Sequence, residues 1–326
     1  MKHISILVLK GAILGSIEGP RQLFAQVNNF FTDRGERPLY KVQLVGLIKE
    51  TPLSGGLFTV HSDLLIQDVK KTDLIIIPAM DGDLKNAIEM NSEFLPWIVK
   101  HYKTGAEVAS LCMGAFLLAA TGLLNGRKCA THWMAANEFR KMFPDVNLVA
   151  EKIITDESGI YSSGGAYSYL NLILYLIEKY AGRDIAILCS KVFAIEIERY
   201  SQSAFAIFQG QKEHGDKPIK NAQEFIENNF QDKITVDQLA TMSILGRRSF
   251  ERRFKKATSD TVTKYIQRVK VEAAKKSFET SKKNIYEVMY DVGYSDDKSF
   301  RTIFKKITGL SPVDYRNKYN YEGMYL

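Results

Sequence analysis

Ser249-Phe250-Glu251-Arg252-Arg253-Phe254-Lys255-Lys256-Ala257-Thr258 is answered fifty residues later by Ser299-Phe300-Arg301-Thr302-Ile303-Phe304-Lys305-Lys306-Ile307-Thr308, with Tyr265 and Tyr315 in the same register. The match is a tandem repeat of a helix-turn-helix-like unit. Phenylalanines four apart share one helical face and bury it, so the residues between them face outward, and many of these are basic. Two copies of one such helix suit a chain that grips a long polymer at two points.

The charge distribution says which polymer. Residues 1–217 hold 23 Lys/Arg against 23 Asp/Glu, whereas residues 218–326 hold 21 against 14, so the repeat-bearing third carries the whole net charge of +7. Localised positive charge of this kind is the footprint of a phosphate-backbone partner. Working outward, 326 residues with 45% hydrophobic and 25% charged content describe a globular chain with room for two or three domains. The most apolar run, 115–124, is about half of the ~20 residues that a bilayer crossing needs. The start Met1-Lys2-His3-Ile4 leads into a strand-like segment without a signal-cleavage pattern. Cysteines at 112, 129 and 189 have no metal-ligand spacing and form no even-numbered framework. A reduced, cytoplasmic chain with no metal and no cofactor is expected.

In the first two thirds, apolar runs of strand length (3–9, 40–48, 73–78, 107–111) alternate with helix-period segments (20–33, 91–103, 113–124, 133–141, 166–181, 184–196). The alternation predicts an α/β fold. Asp73-Leu74-Ile75-Ile76-Ile77-Pro78 shows no polar alternation, as expected of a central parallel strand covered on both faces. Ligands in such sheets bind at the C-terminal strand ends, which directs attention to the turns after residues 9, 78 and 111. After 107–111 comes Cys112 at a sharp strand-to-helix turn, where free N–H groups and the helix dipole favour a thiolate. His132 is available twenty residues on. The stretch 184–198 is apolar around much of its circumference and is expected in the core.

Ser110-Leu-Cys112-Met-Gly-Ala-Phe, then Thr131-His132-Trp133, then Ser163-Gly164-Gly165 opening a long helix, resembles the PfpI/ThiJ superfamily with its class I glutamine amidotransferase-like fold. With the repeats behind it, the chain is similar to the GlxA-type branch of AraC/XylS transcriptional regulators. There Ile285-Tyr-Glu-Val-Met-Tyr-Asp-Val-Gly-Tyr294 and Thr308-Gly-Leu-Ser-Pro312 correspond to the family's second helix-turn-helix. The resemblance implies a parallel-sheet, flavodoxin-like sandwich followed by an all-α domain with two helix-turn-helix motifs.

Catalytic members of that superfamily place an acid four positions before a proline in the first strand-to-helix turn, and often a histidine after the cysteine. Relative to Pro20 the acid's place is taken by Ser16, with Glu18 two residues away; Met113 follows Cys112; and Ala79-Met80 stand where a glycine is expected. A hydrolase needs an activated nucleophile and a positioned proton carrier. The expectation is therefore no catalytic residue, and an effector pocket of Ser16, Glu18, Met80, Cys112, Met113, His132 and Gly164. The alternative is a Cys112/His132 hydrolase or glyoxalase-like enzyme carrying a DNA-binding module.

Domain limits of 1–205 for sensing, 206–217 for a linker and 218–326 for DNA binding are expected. The linker reading rests on the polar, Gly- and Pro-containing stretch 209–218. Helices are expected at 219–229, 236–243, 247–257, 262–279, 285–292, 297–307 and 312–317, with Thr235 and Ser295 as N-caps and Gly309 as a left-handed C-cap. The helix 262–279, ~27 Å long, would act as a rigid spacer between two recognition helices. The first exposes Arg247, Arg248, Glu251, Arg252, Lys255 and Lys256, and the second Asp297, Lys298, Arg301, Thr302, Lys305 and Lys306. Arginine can hold guanine bidentately and lysine a phosphate. Double-stranded operator DNA and a small-molecule effector, amino-acid- or betaine-like by family precedent, are the expected partners. A homodimer and contact with RNA polymerase are also expected, and no membrane.

Overall fold

The computed structural model describes residues 1–197 and 201–320. Two compact units divide the chain, Met1–Gln202 and Ser203–Leu326. In the first, the elements run β1 (Lys2–Val8), α1 (Leu14–Thr32), β2 (Tyr40–Gly46), β3 (Glu50–Leu53), β4 (Phe58–His61), β5 (Leu64–Leu65), β6 (Leu74–Ile77), α2 (Leu84–Met90) and α3 (Phe94–Lys103). There follow β7 (Glu107–Leu111), α4 (Ala115–Ala120), β8 (Lys128–Cys129), α5 (Ala136–Met142), β9 (Asn147–Leu148), β10 (Ile154–Glu157), β11 (Ile160–Ser163), α6 (Tyr169–Ala181) and α7 (Arg183–Val192).

Among the described residues a seven-stranded sheet runs β10-β11-β7-β6-β1-β2-β5, parallel throughout except for the β10–β11 pair. Every residue of β6 is buried, as both-face coverage requires. Helices α1, α6 and α7 pack on one another, and α4 packs against α2, α3, β6 and β7.

Local chemistry moves several expected boundaries. Helix α1 starts six residues before Pro20, which lies inside it and interrupts only the bond to the residue-16 carbonyl. The expected helix 91–103 is preceded by a separate helix α2, capped by the Asp83 side chain. Between them the Asn91 amide donates to the carbonyls of Lys10 and Ala87, which ends α2 and ties it to the turn after β1. Segments 113–124 and 133–141 each open with a 3-10 turn, Cys112–Gly114 and Trp133–Ala135. Helix α7 buries Ile185, Ala186, Cys189 and Ser190 on one face but leaves Val192 exposed, and it stops before Ala194, which has φ +51°. Residue 198, in that expected apolar stretch, lies outside the described residues.

The β10–β11 hairpin was not anticipated. Ser158 and Gly159 turn it with φ +56° and +81°, the left-handed pair that a two-residue hairpin requires. The hairpin sets β11 beside β7, and through it Ser163 beside Cys112.

The second unit contains α8 (Lys217–Asn228), α9 (Val236–Met242), α10 (Arg247–Thr258), α11 (Val262–Thr280), α12 (Ile285–Asp291), α13 (Asp297–Thr308) and α14 (Pro312–Tyr319). Thr235 caps α9 as expected, and Gly309 ends α13 at φ +79°. The cap of α13 is Asp296 rather than Ser295, because the Asp296 carboxylate is the group that reaches the Ser299 amide, at 2.7 Å. Ser259 adopts the left-handed conformation at φ +62° in the place of Gly309.

The sequence repeat is a repeat of packing. Phe254 meets Tyr265 edge-on with ring centroids 5.3 Å apart, and Phe304 meets Tyr315 likewise at 5.5 Å. Thr258 and Thr308 each donate back to the phenylalanine carbonyl one turn earlier. Two separate cores result, and α11 serves both: Val262, Tyr265 and Val269 belong to the first, Val271, Ala274 and Phe278 to the second.

Segment 206–217, read as a linker, is fastened to these helices. Lys275 Nζ donates to the Ala206 carbonyl, the Phe208 amide donates to Glu272, the Phe208 ring packs against Tyr265, and Asp216 pairs with Arg253.

Phe254→Ala and Phe304→Ala should each cost about 3–5 kcal/mol by leaving a cavity in a core of large rings. Hydrogen exchange of the full chain should show lost protection in α8–α10 for the first and in α12–α14 for the second. Equal loss in both regions for either variant would mean one undivided core.

Candidate functional site

The site is built where β1, β6, β7 and β11 end. Cys112 has φ +53°, a left-handed conformation that β-carbon-bearing residues rarely hold without support. Support comes from three sides. The Cys112 amide donates to Ser163 Oγ at 3.3 Å, and Thr131 Oγ1 donates to the Cys112 carbonyl at 3.0 Å. Two residues on, Gly114 lies so close to β6 that a β-carbon there would sit 2.5 Å from the Pro78 oxygen and 2.7 Å from the Ile77 oxygen. The turn is thus wedged against the neighbouring strand end.

Ser16 is fully buried and its hydroxyl is committed: it donates to the Ile13 carbonyl and accepts from the Ala79 amide at 3.0 Å. It joins the first turn to the turn after β6, where Met80, itself buried, bridges Ala12. Glu18 is half-buried and is engaged within its own helix, by Arg21 and Gln22. The Arg21 hydrogen bond holds its carboxyl below the usual carboxylate range. A groove of about 280 Å³ along α1 is lined by Arg21, Gln22, Ala25, Gln26, Asn29 and Phe193, and by none of the expected site residues.

His132 is half-buried, its Nδ1 accepting from the Met134 amide, and burial lowers its pKa. Met113 is partly buried against the core of the unit. Gly164 is packed against Thr131: a β-carbon on it would lie 2.8 Å from the Thr131 oxygen. Contacts link the Ser16, Cys112 and Gly164 turns through Ala79, Gly114, Thr131 and Ser163, with Met80 and His132 next in the chain to Ala79 and Thr131, while the polar contacts of Glu18 point along α1.

The expectation of a thiolate is corrected. Cys112 is 2% exposed, and burial pushes its thiol up to about 11. Desolvation outweighs the opposing effect of the hydrogen bond from the Met113 backbone amide.

Two residues missed in the sequence belong here. Tyr169, at the start of α6, donates its hydroxyl to the Gly15 carbonyl at 2.7 Å, in a space that Gly19 leaves free: a β-carbon there would meet that hydroxyl at 2.9 Å. The small residues Gly15 and Gly19, one turn apart, were the available signal. Gln202 is also buried at the site, and nothing in its sequence context announces it.

On α10 and α13, Arg248, Glu251, Arg252, Lys255, Lys256, Lys298, Thr302, Lys305 and Lys306 are exposed. Arg247 pairs with Asp237 and Glu251. Half-buried Asp297 holds Arg301 by its Nε at 2.7 Å and 2.8 Å. Among the described residues no group of three or more His, Cys, Asp or Glu could hold a metal ion, and no helix is long and apolar enough to cross a membrane.

A model of the DJ-1/PfpI family matches residues 33–179, and a helix-turn-helix domain model matches residues 239–318. The chain joins a DJ-1/PfpI domain to an AraC-type helix-turn-helix domain. Over 313 residues it is 24% identical to the HTH-type transcriptional regulator CdhR of Pseudomonas aeruginosa, covering 95% of this chain and 90% of that one. Identity to GbdR of the same organism is 25%, covering 69% of this chain, and the match spans 61% of GbdR's length. GlxA of Rhizobium meliloti is 23% identical, with coverage of 66% and 67%. The DJ-1/PfpI fold recurs in a THiJ/PfpI family protein from Pseudomonas syringae, TM-score 0.50 and 14% identity, covering 74% of this chain and 88% of that one. A protein from Vibrio parahaemolyticus described as a transcriptional regulator has the same fold, TM-score 0.53 and 22% identity, covering 59% and 98%.

Cys112 of the DJ-1/PfpI domain should alkylate slowly. With iodoacetamide and peptide mapping, its rate should climb about tenfold per pH unit from about pH 6 to about pH 9, tracking a thiol that titrates well above neutrality. A plateau near pH 7 would reveal a thiolate and restore the reactive-nucleophile reading.

Proposed function

We propose that this protein is a cytoplasmic transcriptional regulator that binds operator DNA as a homodimer through α10 and α13, and whose DJ-1/PfpI domain binds a small polar metabolite. The carrying observation is the duplicated recognition helix: each copy buries two phenylalanines and turns a set of cations to solvent. Helix α11, 19 residues and so about 28 Å long, holds the two copies from a shared rod. That length suits successive major grooves on one face of DNA, ~34 Å apart. The relatives named as transcriptional regulators support the same reading.

Within the pair, Arg252 is exposed and has no ion-pair partner among the described residues, whereas Asp297 orients Arg301. We assign base reading to these two arginines and phosphate contact to Lys256 and Lys306. Exposed Arg248, Lys255, Lys298, Thr302 and Lys305 flank them, and Arg247 and Glu251 form a paired edge. RNA polymerase would be the further protein partner of an activator.

An enzymatic reading is favoured by the left-handed Cys112 turn, a geometry that suits a nucleophile. Against it stand the raised thiol and Ser16, whose hydroxyl is already hydrogen-bonded on both its donor and acceptor sides. The pocket assignment of Ser16, Met80, Cys112, Met113, His132 and Gly164 is accordingly one of binding, with Glu18 at its margin.

Arg252→Ala or Arg301→Ala should cost ~1–3 kcal/mol on operator DNA and relax specificity at one position, since a bidentate contact is lost. Lys256→Ala or Lys306→Ala should weaken binding to all sequences alike and lower the log–log salt slope by ~0.9 each. Operator and random-DNA titrations at several salt concentrations separate the two classes. Equal losses on both DNAs for the arginine variants would reduce the protein to a nonspecific binder.

A further inference from the structure

Gln202 closes the first unit and is 1% exposed. Three backbone carbonyls converge on its amide nitrogen: Thr131 at 2.8 Å, Ala150 at 2.7 Å and Lys152 at 3.2 Å. Its amide oxygen accepts from the Trp133 amide at 3.3 Å. Gly164 makes the room, for a β-carbon there would stand 2.1 Å from that nitrogen. The backbone is docked too: the Gln202 amide donates to Glu151 at 2.9 Å, and Ser201 pairs with Lys152.

The nest does not match its occupant. A primary amide nitrogen carries two hydrogens for three acceptors, whereas an ammonium carries three and a guanidinium five, and charge-assisted bonds to carbonyls are stronger. The nest also adjoins the cysteine turn through one residue. Thr131 places its hydroxyl on the Cys112 carbonyl and its own carbonyl on Gln202. Immediately beyond Gln202 the chain enters the helical unit, where Lys275 grips the Ala206 carbonyl at 2.6 Å. Residues 203–205 lie between the two anchors.

We propose that the carbonyls of Thr131, Ala150 and Lys152, with the Trp133 amide, form the head-group site for an effector bearing an amide or ammonium nitrogen, and that Gln202 is a built-in competitor for it. Effector binding expels the Gln202 side chain and frees 201–202 from the DJ-1/PfpI domain. The proposal rests on reading that domain as the effector-binding one, and it names the head-group chemistry and the moving part.

The test is chemical rescue in the full chain. Gln202→Ala vacates the nest, and acetamide, methylammonium and, as control, acetate are titrated by saturation-transfer NMR. Acetamide or methylammonium should bind the variant at least tenfold more tightly than wild type, and acetate should bind neither; the better probe tells whether a neutral amide or a cation is preferred. Gln202→Asn keeps an amide but withdraws it by one methylene and should show intermediate affinity. It carries the test if the alanine variant does not fold. In wild type, saturating probe should speed hydrogen exchange at the Gln202 amide. Probe binding no better in the variants than in wild type, or unchanged exchange with probe bound, overturns the proposal. Failure of the chain to bind DNA in a separate titration would instead remove the regulator reading and leave the nest in place.

Discussion

The approach of the Gly114 backbone to the carbonyls of Ile77 and Pro78 is the constraint on which the first unit's site depends. It forces the segment after β7 to turn sharply, puts Cys112 into the left-handed region and ends the strand where the turns after β1, β6 and β11 also end. Ser163 and Thr131 then hold the turn by side-chain bonds to the Cys112 backbone. The strain and the buried thiol are parts of one arrangement. A residue pressed into a strand junction is removed from water, and removal from water is what raises the thiol.

At the same junction the left-handed cysteine turn carries a buried, raised thiol and lies beside a serine rather than an acid. At the position expected for an acid, the Ser16 hydroxyl joins two turns, and the nearest carboxylate, that of Glu18, is held by Arg21 and Gln22. What the turn retains is a set of backbone groups at strand ends with fixed directions. Such groups recognise polar ligands without needing any proton transfer. The glycines at 114 and 164 act alike, since each allows close approach where a methyl group would collide.

In the helical unit the governing element is α11. Because Val262–Val269 and Val271–Phe278 of one helix fill two cores, the two helix-turn-helix copies share a rod rather than a hinge. Buried Lys270 and Lys275 reinforce it, donating to the carbonyls of Gly293 and Ala206. Lys275 fastens segment 206–217, read from its polar, glycine-containing composition as a linker, to the same helices.

The sequence alone determined the helical unit almost completely. Phenylalanine spacing, the cap at Thr235 and the glycine at 309 are local signals, and helices obey local rules, with the cap expected at Ser295 falling one residue on, at Asp296. It also determined the parallel strands of uniform hydrophobicity, since only a doubly covered strand tolerates Leu74-Ile75-Ile76-Ile77. The sequence placed Cys112 at its turn, but its protonation depended on how much water the fold excludes. Tertiary structure alone decided the hairpin that brings Ser163 to Cys112, the commitment of Ser16, and the seating of Gln202 against Thr131, seventy-one residues away in the chain. Those contacts join residues far apart in sequence, and no local propensity encodes which carbonyl a distant amide will meet.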